Sequence, residues 1–200
     1  AREIPAYAMV GWLNYDDEQV QAICQRAVEA GFRAVKLKVG YPTLAQDLRR
    51  IEIVRRAVGD EVVLMVDANQ SLNTAEALRR GRAFQNSGVL WFEEPLPADD
   101  IDGYAELCAA LDIPIATGEN LYTLQDFGRF LKRDAVDIVQ PDLRRAGGPT
   151  ALLAIGLLAH AFRRPYASHG GDLAQLHVLA ALPNTLYLGR GIPEPGSPMR

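Results

Sequence analysis

Asp67, Glu93, Glu119, Asp142 and His169 each stand at or just beyond the end of an apolar run, with separations of 26, 26, 23 and 27 residues. Brought to one place, three carboxylates repel strongly unless a cation lies among them. An all-oxygen donor set with room left for water or substrate suits Mg²⁺ better than Zn²⁺. Asp67, Glu93 and Glu119 are therefore the candidate metal ligands. Lys36 and Lys38 share one face of an earlier strand, and a divalent cation nearby pushes a lysine toward the neutral form that a general base requires. Asp142 and His169 make a second candidate proton-transfer pair, the carboxylate orienting the imidazole and raising its basicity. Strand alternation sends Glu94 to the face opposite Glu93, where a structural ion pair or cap is expected. His160 and His177 lie within helical patterns and read as structural.

An interval of this size is the length of one strand–helix unit, so the spacing asks for a repeating scaffold. Hydrophobic periodicity predicts strands at Tyr7–Val10, Ala34–Val39, Val62–Asp67, Val89–Glu93, Ile115–Thr117, Ile138–Gln140, Tyr166–Ser168 and Thr185–Leu188. Helices are predicted at Asp17–Ala30, Thr43–Val58, Thr74–Asn86, Tyr104–Leu111, Leu124–Lys132, Thr150–Phe162 and Leu173–Leu182. Gly31 and Gly59 stand where helix ends favour a left-handed residue, and Asn73 or Thr74 where a helix start wants a cap. Strict alternation of this kind implies a parallel sheet. In a doubly wound sheet both faces are buried under helices, leaving no place for Lys36 and Lys38 on one face. A TIM-type α/β barrel has a place: the inner face near the C-terminal mouth, where such folds carry their active sites.

The chain has 200 residues, 48% apolar and 23% charged, enough for one sizeable core, and residues 1–200 read as a single barrel domain. A formal net charge of −4, with arginines spread over several helices, gives no basic field for nucleic acid. No apolar run approaches the roughly 18 residues of a membrane span. No glycine-rich phosphate loop opens a helix. Cys24 and Cys108 have no CxxC partner and read as packed thiols, and a cytoplasmic location is the expectation. The start almost directly in a strand, and an end in a proline-rich stretch with no eighth helix, read as a domain truncated from a longer chain.

The segments Val35-Lys36-Leu37-Lys38-Val39-Gly40, Met65-Val66-Asp67-Ala68-Asn69-Gln70-Ser71, Trp91-Phe92-Glu93-Glu94-Pro95, Thr117-Gly118-Glu119-Asn120, Pro141-Asp142 and Ser168-His169 resemble the enolase superfamily, and within it the mandelate racemase group. That resemblance implies a (β/α)7β barrel, here without the family's N-terminal capping domain. It implies Mg²⁺ on Asp67, Glu93 and Glu119, and removal of the proton α to a carboxylate through a metal-stabilised enediolate, with a lysine or histidine as base. By position, Lys36 would pair with the carboxylate of a small hydroxy acid and Asn69 could touch its α-hydroxyl. Lys38 and His169, the latter held by Asp142, would serve opposite faces of the α-carbon. Return of the proton from the other face would make a racemase or epimerase, the first expectation; loss of a β-hydroxyl would make a sugar-acid dehydratase. A non-catalytic carboxylate-binding barrel or inactive fragment is the expectation from another class. A homo-oligomer is also expected. Two positions depart from the group: Gly189 stands where a strand-eight glutamate is usual, with Arg190 and Glu194 nearby but out of register, and the first strand offers no serine.

Overall fold

The computed structural model describes residues 3–192; Glu194 and the proline-rich end lie outside them. Seven strands, β1 (Ala6–Gly11), β2 (Ala34–Lys38), β3 (Val63–Asp67), β4 (Val89–Glu93), β5 (Ile115–Thr117), β6 (Ile138–Val139) and β7 (Leu188–Arg190), form one parallel sheet in the order β6-β5-β4-β3-β2-β1-β7. Seven helices connect them: α1 (Asp17–Glu29), α2 (Leu44–Val58), α3 (Thr74–Asn86), α4 (Ile101–Ala110), α5 (Leu124–Lys132), α6 (Pro149–Ala161) and α7 (Leu173–Ala181). The α/β barrel expected from the sequence is the architecture observed.

One expected strand is not a strand. Tyr166–Ser168 makes only isolated bridges, Val139 to Tyr166 and Tyr166 to Thr185. Its backbone nonetheless carries the ring from β6 toward β7: Ala167 N–H donates to Val139 O at 3.0 Å and Leu186 N–H to Tyr166 O at 2.8 Å. Pro141 and Pro165 flank this sector and have no N–H to give, so the ladder cannot run continuously there. β6 ends at Val139, one residue short of the expected Gln140, and the last strand is Leu188–Arg190, paired with Ala6–Ala8 of β1, in place of the expected Thr185–Leu188.

The pleat sorts the residues into two cores. Tyr7, Ala34, Met65, Trp91, Ala116, Ile138 and Ala167 fill the barrel interior, a small residue alternating with a large one around much of the ring. Val35, Leu37, Leu64, Val66, Phe92 and Val139 face outward and pack under the helices. Helix starts carry the caps the sequence calls for: Asn73 accepts from Glu76 N–H, and Thr43 with Gln46 forms a capping box. Gly31 and Gly59 have positive φ just after α1 and α2, as expected. Cys24 and Cys108 are free thiols. His160 and His177 are exposed on α6 and α7. Among the described residues no helix is long and apolar enough to cross a membrane.

Parallel register delivers the candidate residues to one rim. Lys38 pairs with Asp67 across β2 and β3, Asp67 with Glu93 across β3 and β4, and Glu93 with Ala116 of β5. Gly118 then turns the chain toward Glu119 with φ of 141°, and a Cβ there would lie 2.8 Å from Phe127 Cε1 and 3.0 Å from the Gln140 carbonyl carbon. Replacing Gly118 by alanine is expected to lower the unfolding free energy by at least about 1 kcal/mol, read from urea denaturation.

Candidate active site

Lys36, Lys38, Asp67 and Glu93 are all buried, and they satisfy one another. The Lys36 ammonium ion-pairs with Glu93 Oε1 and lies 3.4 Å from Asp67 Oδ2, while Lys38 ion-pairs with the same Asp67 oxygen. Glu93 Oε2 accepts from the Trp91 indole N–H at 3.1 Å and from the Gln140 amide at 3.0 Å. Asp67 Oδ1 accepts from the Asn69 backbone N–H at 2.9 Å. One oxygen from each of Asp67, Glu93 and Glu119 lies within 4.8 Å of the others. Of the Glu119 oxygens, Oε1 is 3.3 Å from an Arg145 guanidinium nitrogen. Oε2 is buried and accepts no hydrogen bond of good geometry, although His169 Nε2 is 3.0 Å away. A close set of three buried carboxylates, one with an unsatisfied oxygen, suits a hard divalent cation.

Burial and charge oppose each other in this cluster. Burial would pull the Lys36 ammonium down, but Glu93, Tyr7 and Asp67 outweigh it and hold it well above the usual lysine range. Burial pushes Glu93 up to about 7, against the pull of Lys36. It would raise Asp67 as well, but the two lysines keep that carboxyl below its ordinary value. Asp142, despite partial burial, is held low by the backbone N–H groups of Arg145 and Arg144 and by His169.

The expected dyad is present: His169 Nδ1 is 2.8 Å from Asp142 Oδ2, and Asp142 Oδ1 takes the N–H groups of Arg144 and Arg145 at 2.8 and 2.9 Å. A buried glutamine on α7, Gln175, donates to the His169 carbonyl at 2.7 Å and fixes the loop from the other side. Tyr7, Trp12, Lys36, Lys38, His169 and Gly189 line a cleft of about 140 Å³. Lys38 and His169 therefore open onto one space. Asn69 is less engaged: it occupies a left-handed turn with φ of 44° and is exposed at the mouth.

Glu94 departs from the sequence expectation. Its φ of 40° ends the extended conformation on which alternation depends, and the side chain is buried at 1% exposure. Asn120 Nδ2 donates to both its oxygens at 2.9 Å, so its described partner is an amide and not the cation of an ion pair. Burial, with Glu119 adding to it, pushes Glu94 up to about 8.

Sequence reasoning passed over Trp91, Gln140, Tyr7, Asn120 and Arg145. Trp91 had a signal, since it lies two residues before Glu93 and so on the same strand face. Arg145 and Asn120 lie on loops, where no periodicity points.

A family model described as enolase C-terminal domain-like matches residues 19–193. The chain belongs to that family, within the enolase superfamily. L-talarate/galactarate dehydratase of Salmonella typhimurium is 44% identical over 173 residues, which is 86% of this chain and 44% of that protein. Arabinonate dehydratase of Saccharolobus solfataricus is 35% identical, over 90% of this chain and 50% of that one. The crystal structure of a Streptomyces coelicolor racemase with bound magnesium superposes with a TM-score of 0.89 at 34% identity, covering 94% of this chain and 52% of that one. An L-talarate dehydratase from Polaromonas sp. JS666, complexed with Mg and L-glucarate, gives 0.90 at 36% identity, covering 94% and 53%. This enolase-superfamily chain thus spans about half the length of the relatives it matches.

Gly189 leaves no room for a larger side chain beside Tyr7. A Cβ there would lie 2.6 Å from the Tyr7 hydroxyl and 2.9 Å from its Cζ. Gly189→Ala is expected to cost about 1–3 kcal/mol through overpacking, and clearly less in a Tyr7→Leu background. Chemical denaturation of the four proteins of that cycle checks it.

Proposed function

We propose that this chain carries the catalytic barrel of a Mg²⁺-dependent enzyme that removes the proton α to the carboxylate of a small hydroxy acid. The supporting observation is that Asp67, Glu93 and Glu119 lie within reach of one cation while their direct neighbours Lys36, Lys38 and His169 line a single cleft. Asp67, Glu93 and Glu119 would hold the cation, whose charge offsets the negative charge that develops on the substrate carboxylate. Lys36, kept protonated by its neighbours, adds a fixed positive charge beside that carboxylate. Lys38 takes or returns the proton on one face of the α-carbon. His169 serves the other face through Nε2, its Nδ1 held by Asp142. Asn69, exposed at the mouth, would meet a substrate hydroxyl.

Two outcomes start from this abstraction. Return of the proton to the opposite face inverts the centre, which fits the likeness to the Streptomyces racemase. Departure of a β-hydroxyl, protonated by His169, gives a 2-keto acid, which fits the identity to the talarate/galactarate and arabinonate dehydratases.

Incubation with a panel of sugar acids and aromatic 2-hydroxy acids in D₂O, followed by NMR, tests the shared step. Deuterium is expected at the α-carbon of unreacted or inverted substrate, or a keto acid in its place. Metal binding with neither, across the panel, would reject catalysis. Lys38→Ala and His169→Asn are expected to stop exchange selectively from opposite enantiomers, each by about 10²–10⁴-fold. Glu93→Gln is expected to weaken Mg²⁺ binding at least about tenfold, measured by isothermal titration.

A further inference from the structure

Glu94 follows Glu93 directly, and Asn120 follows Glu119 directly. The two hydrogen bonds from Asn120 Nδ2 to the Glu94 carboxylate therefore link the loops that deliver two of the three candidate metal ligands. The Glu94 backbone adds further ties: its N–H donates to Ala116 O at 2.9 Å on β5, and its carbonyl accepts from Gln70 N–H at 2.7 Å beyond Asp67 on β3. All three ligand-bearing strand ends thus meet at one residue. That residue keeps a left-handed φ of 40°, which an L-residue with a long side chain adopts only where its surroundings over-determine it.

We propose that the Glu94–Asn120 pair is a clasp that sets the separation of Glu93 and Glu119, and through it the cation affinity of the carboxylate triad. The inference rests on the reading of Asp67, Glu93 and Glu119 as a Mg²⁺ site. Glu94 and Asn120 are positioning residues: they act on the metal through the backbone of the ligands they adjoin. Mg²⁺ demands near-octahedral geometry at about 2.0–2.1 Å, so a small drift of one strand end relative to the next costs affinity. The side-chain bridge complements the sheet, because β5 ends at Thr117 and Glu119 lies beyond the ladder. Arg145 holds the Glu119 carbonyl from the other side at 2.9 Å, leaving the clasp to fix it toward β4.

The test reads Mn²⁺ affinity of the 200-residue protein from the electron paramagnetic resonance signal of free Mn²⁺, below the melting temperature of every variant. Asn120→Asp replaces both amide donors with a carboxylate that repels the Glu94 carboxylate when both are ionised, while adding negative charge beside Glu119; Asn120→Leu, measured alongside it, removes the donors without adding charge. If charge alone governed the site, Mn²⁺ would bind as well or better; the clasp predicts binding weaker by about tenfold or more. The double variant Glu94→Gln with Asn120→Asp reverses donor and acceptor, and is expected to restore affinity to within about threefold of wild type. Should Asn120→Asp fail to fold, Asn120→Ala carries the same expectation of weakened binding. Unchanged affinity in the single variant, or no recovery in the double, overturns the clasp. Glu93→Gln separates the two ideas: wild type binding Mn²⁺, Glu93→Gln losing it and the Asn120 variant keeping it would leave the metal site standing and remove only the clasp. No binding by wild type would remove both.

Discussion

Everything at the mouth of this barrel depends on how buried charge is balanced. Lys36 and Lys38 face Asp67 and Glu93 with almost no access to solvent, and Glu119 closes the group. Removing charged groups from water costs several kcal/mol per ion, and pairing them recovers that only with good geometry, so such a cluster is a poor source of stability. The two ammonium groups and, at Glu119, the Arg145 guanidinium stand against three carboxylates, and buried Glu94 adds a fourth acid. The arrangement is electrostatically incomplete in the sense a cation would correct.

The parallel sheet is what makes this balance repeatable. Asp67 is level with both Lys38 and Glu93, so charges from adjacent strands meet at hydrogen-bonding distance without depending on long flexible loops. Below them the interior is closed by Trp91, Tyr7 and Met65, and Trp91 joins the two layers by packing edge-on to Tyr7 while its indole N–H reaches Glu93. Rigid packing below and short ion pairs above give the ligands little freedom before any metal arrives. Where the ladder ends, side chains take over: Asp47 accepts from Gly40 and Tyr41 N–H and ion-pairs with Arg80 to hold the loop after β2.

Much of this was legible in the sequence because it is periodic. The constant interval from Asp67 to His169 reflects one strand–helix unit, and the face shared by Lys36 and Lys38 reflects the pleat. What alternation could not reach is where extended backbone stops. Alternation gives Glu94 an outward face and an ion pair or cap, yet its left-handed φ ends the alternation and leaves it buried against Asn120. The strand expected at Tyr166–Ser168 fails for a related reason, since Pro165 just before it and Pro141 just after β6 have no N–H to give to the ladder that alternation presumes. Tyr7 meeting Gly189 on the neighbouring strand, and Gln140 meeting Glu93 from two strands away, are contacts between residues remote in sequence, and no local pattern announces them.

Ligand linkage gives the most direct test that the buried carboxylates form a cation site. A cation that binds only the folded state raises stability as RT ln(1 + [L]/Kd), about 2.7 kcal/mol at a hundredfold excess over Kd. The melting temperature of the chain, measured at constant ionic strength while Mg²⁺ replaces a monovalent salt, should therefore climb steadily with the logarithm of Mg²⁺ concentration once Kd is passed. A melting temperature indifferent to Mg²⁺ would mean that the lysines alone satisfy Asp67, Glu93 and Glu119, and would contradict the account.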